Sequence, residues 1–134
     1  MSASPIDLVL PLYDAVERGE GESQFDRLAP DLKWDMRDLA LPDMARVYYG
    51  HEGLREFWAA WLSSWYAIEF TQLTPERFGE DVIVEVHQRN TGRASGVPVD
   101  FHYFQAWVVR DGRVTACHAA QTKAGALRAL GHAA

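Results

Sequence analysis

The stretch DVIVEVHQRNTGRASGVPVDFHYFQAWVVRDGRVTACHAAQ, residues 81–121, decides the fold. Its apolar residues recur at alternate positions, and its breaks fall at Gly92–Gly96 and at Asp111-Gly112. Asp-Gly between two apolar runs is a strong hairpin signal, because a tight hairpin turn needs positive φ at both central residues. The segment reads as three strands, over 81–91, 97–110 and 113–121, and a fourth precedes them at 66–77, separated by Gly79-Glu80-Asp81. A run of hairpin-linked strands makes an antiparallel sheet.

Upstream the period changes. Gly50 introduces a helix with Leu54, Phe57, Trp58, Trp61, Leu62 and Trp65 on one stripe. Ser4-Pro5 caps a first helix, with Pro11 inside it and Gly19 after it. Ser23 and Asp26 resemble a capping box for a short second helix. Residues 32–38 alternate as a strand, placing Leu32, Trp34 and Met36 opposite Lys33, Asp35 and Arg37, and an irregular stretch follows around Pro42. Thr122 caps a closing helix that stops at Gly131, ahead of a tail carrying His132. Helices in the first half followed by a run of strands specify α+β, a curved mixed or antiparallel sheet wrapped around N-terminal helices as a cone with one open mouth. At 134 residues the chain is expected to be a single domain, 1–134.

Composition removes several functions. A net charge of −6 without a basic run leaves nucleic acid no electrostatic grip. No apolar run approaches the about 20 residues of a membrane span, and the N-terminus lacks a secretory pattern, so a cytoplasmic location is expected. One cysteine, Cys117, and five histidines without HExxH spacing give no linear metal motif, so no metal and no cofactor are expected. Five Trp, five Tyr and six Phe are many for this length, and point to an aromatic pocket or a self-association surface.

The order α-α-β-α-β-β-β-β, with LAPDLKW (28–34), YYGHEGLREFWAAW (48–61), GRASGVPVDF (92–101) and VVRDGRVTA (108–116), resembles the SnoaL-like branch of the nuclear transport factor 2-like, or ketosteroid isomerase-like, superfamily. That resemblance implies a small-molecule pocket and a homodimer through the outer sheet face. It makes Tyr13 the counterpart of the isomerase hydrogen-bond donor. The isomerase base falls at Met36, with Asp38 two residues on, and the second isomerase aspartate falls at Phe104. His102 resembles the histidine of the cyclases, and the last strand offers Cys117, His118 and Gln121 but no carboxylate. Trp58 stands where the isomerases place a pocket tyrosine.

Alternation leaves two orientations for strand 97–110. Val99, Phe101, Tyr103 and Trp107 face the monomer interior, with Asp100 and His102 in solvent, or the apolar row is the dimer surface and Asp100, His102, Phe104 and Ala106 face the cavity. The resemblance favours the second. His102 then becomes the acid–base group, oriented by Asp100, with Tyr13 donating to an oxyanion. The expected lining is Glu17, Trp34, Met36, Asp38, Trp58, Trp61, Phe104, Ala106, Cys117, Ala119 and Gln121. Such a pocket suits a small hydrophobic or aromatic carbonyl compound. Three functions remain open: a cofactor-free isomerase, dehydratase or aldol-type cyclase; a non-catalytic binding or carrier protein for an aromatic metabolite; and a dimeric interaction module.

Overall fold

A computed structural model describes residues 4–39, 41 and 44–131; Pro42 and His132 lie outside them. Helix α1 spans Pro5–Glu17, and the Ser4 hydroxyl accepts from the Asp7 backbone N–H at 3.2 Å. It runs through Pro11 as one helix. A 3₁₀ helix, Gly21–Arg27, follows. The expected capping box does not form there, because the Ser23 hydroxyl lies inside the element and donates to the Glu20 carbonyl.

Strand β1 (Leu28–Asp35) begins before the expected strand and ends before Arg37. Strand β2 (Val47–Tyr49) pairs antiparallel with it; three residues are too few for alternation to reveal. Helix α2 is Gly50–Leu62, and the last aromatic of its stripe, Trp65, opens β3 (Trp65–Phe78) instead. Strands β4 (Asp81–Gly92), β5 (Pro98–Arg110) and β6 (Arg113–Ala120) then run as expected, and α3 (Lys123–Ala129) is capped by the Thr122 hydroxyl, which accepts from Gly125 N–H at 3.0 Å. Asp111 and Gly112 both have positive φ, 53° and 76°, the backbone that a two-residue hairpin requires.

The six strands form one mixed sheet in the order β2-β1-β6-β5-β4-β3, in which β1 and β6 are parallel and every other pair is antiparallel. Its inner face, with α1 and α2, holds the main core: Val82, Val84 and Val86 of β4, Trp107 of β5, Val114 and Cys117 of β6, Leu32 and Trp34 of β1, and Met36 just beyond its end. A smaller cluster on the outer face, Ile83, Ala106, Ala120 and Ala126, seats α3. The helices therefore cover both faces, because Ile83, Ala106 and Ala120 make an apolar patch on the outer surface on which the short helix packs.

Asp35 ties the outer side of β1 to its neighbours. Its carboxylate accepts from the Arg37 backbone N–H at 3.1 Å and from the Arg37 guanidinium at 3.0 and 2.8 Å, and lies 3.4 Å from His118 Nδ1. The Arg37 hydrogen bonds bring its pKa down from 3.8 to about 2. A depressed folded-state carboxylate stabilises the fold above its unfolded pKa and loses that contribution as pH falls. Asp35→Asn should thus cost on the order of 1 kcal/mol at pH 7, a figure reduced for the exposed Arg37 partner, and the difference should close between pH 4 and pH 2. Urea titrations of both proteins across that range measure it. Burial pushes the pKa of the His118 imidazole below its ordinary value, against the opposing pull of Asp35.

Candidate functional site

The inner face of the sheet, α1 and α2 enclose a cavity of about 310 Å³. Helical spacing brings Leu12, Tyr13 and Val16 of α1 to one side, and Leu54, Phe57, Trp58 and Trp61 of α2 to another. The sheet supplies Trp34 from β1, Phe70 from β3, Gln88 from β4, and Phe101, Tyr103, Gln105 and Trp107 from β5. The aromatic rings form a connected wall. Trp34 meets Phe57, Trp58 and Trp107 with centroids 5.9, 6.5 and 5.7 Å away, and Tyr13 meets Phe70 edge-on at 5.1 Å. Gly21 lets Trp58 pack close, since a Cβ at that position would lie 2.5 Å from the indole.

Two hydrogen-bonded sets lie within this wall. Trp107 Nε1 donates to the Tyr13 hydroxyl at 2.9 Å, and that hydroxyl donates to Gln105 Oε1 at 2.6 Å. Tyr13 thus engages the side-chain carbonyl oxygen of Gln105 and not its amide N–H groups; among the described residues the buried side-chain polar atoms without a partner are Gln24 Oε1, Trp34 Nε1, Trp65 Nε1 and Asn90 Nδ2. In the second set the Tyr103 hydroxyl donates to Gln88 Oε1 at 2.5 Å and Gln88 Nε2 donates to Asn90 Oδ1 at 2.9 Å. Gln88, Asn90 and Gln105 are buried, so each would carry a desolvation cost without these partners. Burial raises the pKa of both Tyr13 and Tyr103. Both phenols therefore stay protonated through neutral pH, as hydrogen-bond donors and not as bases.

The register of β5 decides where the sequence-derived candidates lie. Val82, Val84, Val86, Gln88 and Asn90 of β4 oppose Trp107, Gln105, Tyr103, Phe101 and Val99 of β5, so the odd-numbered residues of β5 face inward. The expected inward orientation of Asp100, His102, Phe104 and Ala106 is corrected. Asp100 pairs with Arg89 at 2.8 Å on the outer surface, and the exposed His102 ring hydrogen-bonds Glu85 at 2.8 Å. Phe104 and Ala106 belong to the patch under α3. The expected apolar dimer surface is corrected with them, because Phe101, Tyr103 and Trp107 are spent on the monomer's own cavity.

Of the remaining candidates, Tyr13, Trp34, Met36, Trp58, Trp61 and Gln121 line the cavity. Gln121 also donates to the Asp38 carbonyl at 3.0 Å. Glu17 is exposed at the end of α1, where its carboxylate accepts from Phe70 N–H at 3.3 Å, and the Asp38 side chain is exposed; neither reaches the wall. Cys117 and Ala119 face inward but are packed into the core behind the wall, and burial raises the Cys117 thiol pKa, leaving it protonated and inert. Sequence reasoning missed Gln88 and Gln105, and placed Tyr103 inside only in the orientation that the resemblance did not favour. The available signal was the outward row Glu85, His87, Arg89, which forces Gln88 inward and, through the hairpin, Phe101, Tyr103 and Gln105 with it.

Residues 9–117 match the SnoaL-like domain. The chain belongs to the SnoaL-like family. Solved structures share the SnoaL-like chain's fold at low identity. TerC, co-crystallised with polyporic acid, is 19% identical with a TM-score of 0.73, covering 92% of this chain and 95% of that one. An NTF2-like protein from Burkholderia pseudomallei is 21% identical over 94% and 96% of the two chains, TM-score 0.74. A Xanthomonas campestris protein provisionally assigned as a polyketide cyclase is 17% identical over 88% and 90%, also at 0.74. No curated protein is significantly similar to the SnoaL-like chain in sequence. No described helix is long and apolar enough to cross a membrane.

Proposed function

We propose that this SnoaL-like protein binds a flat aromatic carbonyl compound in the cavity between α1, α2 and the sheet, without transferring a proton to or from it. The observation that carries this reading is the chemistry of the wall. Its polar side chains that take part in hydrogen bonding from within are Tyr13, Gln88, Tyr103, Gln105, Trp107 and Gln121, all uncharged at neutral pH; His102 also borders the cavity, but its ring turns to Glu85 on the opposite face of the sheet. General acid–base work near pH 7 needs a group whose pKa lies near that pH. Phenols held protonated by burial, and amides, supply orientation instead. The Gln105 amide N–H groups suit a carbonyl oxygen, and the indole and phenyl faces suit a ring system. The fold likeness to TerC, whose crystals hold polyporic acid, supports an aromatic ligand class.

Four tryptophans of the wall, Trp34, Trp58, Trp61 and Trp107, make binding directly readable by quenching of intrinsic fluorescence. Titration with polyporic acid and related quinones and polyphenols should give saturable quenching. Val16→Trp, which places an indole in the cavity from the half-buried side of α1, should weaken binding at least about tenfold, or 1.4 kcal/mol. The ligand should be recovered unchanged, and a bound ketone should take up no deuterium from solvent beyond the uncatalysed rate. Protein-dependent exchange would overturn the non-catalytic part of this reading, and unsaturable quenching across the panel would overturn the ligand class.

A further inference from the structure

On the outer face of the sheet, away from the cavity, the β4–β5 register sets His87 directly opposite His102. The two imidazoles stack with centroids 4.3 Å apart and planes 7° from parallel. Glu85, two residues before His87 and on the same face, brings Oε2 to 2.8 Å from His102 Nε2 and 3.7 Å from His87 Nε2. One ligating atom from each of the three side chains lies within 4.8 Å of the others. We propose that Glu85, His87 and His102 form a binding site for a divalent transition-metal ion of the imidazole-preferring kind, with zinc as the reference ion.

The distances fit that chemistry. Ligand atoms about 2.0–2.2 Å from a tetrahedral zinc ion stand roughly 3.3 Å apart, and the two separations from the Glu85 oxygen bracket this value. Binding requires the two stacked rings to tilt out of parallel so that both nitrogens aim at one point beside the Glu85 carboxylate. Two imidazoles and one carboxylate form a donor set that suits zinc or copper(II) and discriminates against magnesium and calcium, which prefer oxygen ligands. The backbone beneath is the middle of an antiparallel ladder, so the three ligands are presented from a rigid base. All three side chains are partly exposed, at 36%, 39% and 52% for Glu85, His87 and His102, which leaves the remaining coordination position to water. The nearest cation on the same strand, Arg89, is already engaged by Asp100 at 2.8 Å. The absence of a linear metal motif does not bear on this set, since its third ligand arrives from the neighbouring strand.

Isothermal titration of the tag-free full chain with zinc chloride tests the proposal. One equivalent should bind, His102→Ala and Glu85→Gln should each weaken binding at least about tenfold, and His51→Ala, distant from the cluster, should change nothing. Magnesium and calcium should give no binding heat. With copper(II), electron paramagnetic resonance should show two coordinating imidazole nitrogens in the native protein and one in His87→Ala. Retention of full zinc affinity by both His102→Ala and Glu85→Gln would overturn the assignment. Equal affinity for magnesium, or no zinc binding at all, would do the same and leave an ordinary surface ion pair. These are surface positions, so unchanged melting temperatures of the variants confirm that the fold is intact.

Discussion

Trp34→Ala is expected to lower the free energy of unfolding by about 3–5 kcal/mol, the largest effect of any substitution considered for this protein. Trp34 is 5% exposed and stands where β1, α2 and β5 meet, with Phe57, Trp58 and Trp107 all within ring-contact distance. Removing the indole takes away its own burial and enlarges a cavity that already holds about 310 Å³, so the neighbouring rings lose contacts on two sides. The indole N–H makes no hydrogen bond in the fold, so the substitution strands no acceptor, and the cost is one of packing. Urea denaturation followed by far-UV circular dichroism measures it. A change below about 1.5 kcal/mol would mean that α2 collapses onto the sheet to fill the gap.

Tyr13→Phe should cost about 2–3 kcal/mol, although it deletes a single oxygen. The hydroxyl serves two partners at once: it accepts from Trp107 Nε1 and donates to Gln105 Oε1, and both partner residues are buried. Its loss strands a donor and an acceptor in the same apolar surroundings. The substitution should also loosen the Gln105 amide and so weaken the cavity ligand. Gln105→Leu in the Tyr13→Phe background should recover part of the stability, because replacing both partners by apolar groups removes the stranded acceptor. It should not recover binding. A double-mutant cycle on unfolding and a fluorescence titration of the same four proteins separate the two roles. If Tyr13→Phe binds ligand as tightly as the native protein, the hydroxyl's place in orienting Gln105 is refuted.

The elements of this fold were legible because each satisfies a local rule. Ser4-Pro5 starts α1, Thr122 starts α3, and Asp111-Gly112 turns β5 into β6, in each case through backbone groups within a few residues of one another. The membership of the aromatic wall was legible in part for the same reason: Trp58 and Trp61 share a helix face whatever that helix packs against. The polar half of the site was not. Gln88 and Gln105 look like surface residues in isolation, and their burial is tolerable only because Tyr103 of β5 and Tyr13 of α1 arrive from other elements to meet them, with Asn90 completing the Gln88 set from the same strand.

By itself, the sequence determined the α+β class, the number and nature of the main elements, and the pairing of residues on β5 into one apolar and one polar row. Alternation has a mirror ambiguity, since a period of two names two faces without saying which is inside. Only the tertiary structure broke it. The hairpin register locks β5 to β4, whose valines must be covered by α1 and α2 while Glu85, His87 and Arg89 keep their water. That constraint turned Phe101, Tyr103, Gln105 and Trp107 into the cavity wall. The same constraint carried His102 to the outer surface, beside His87.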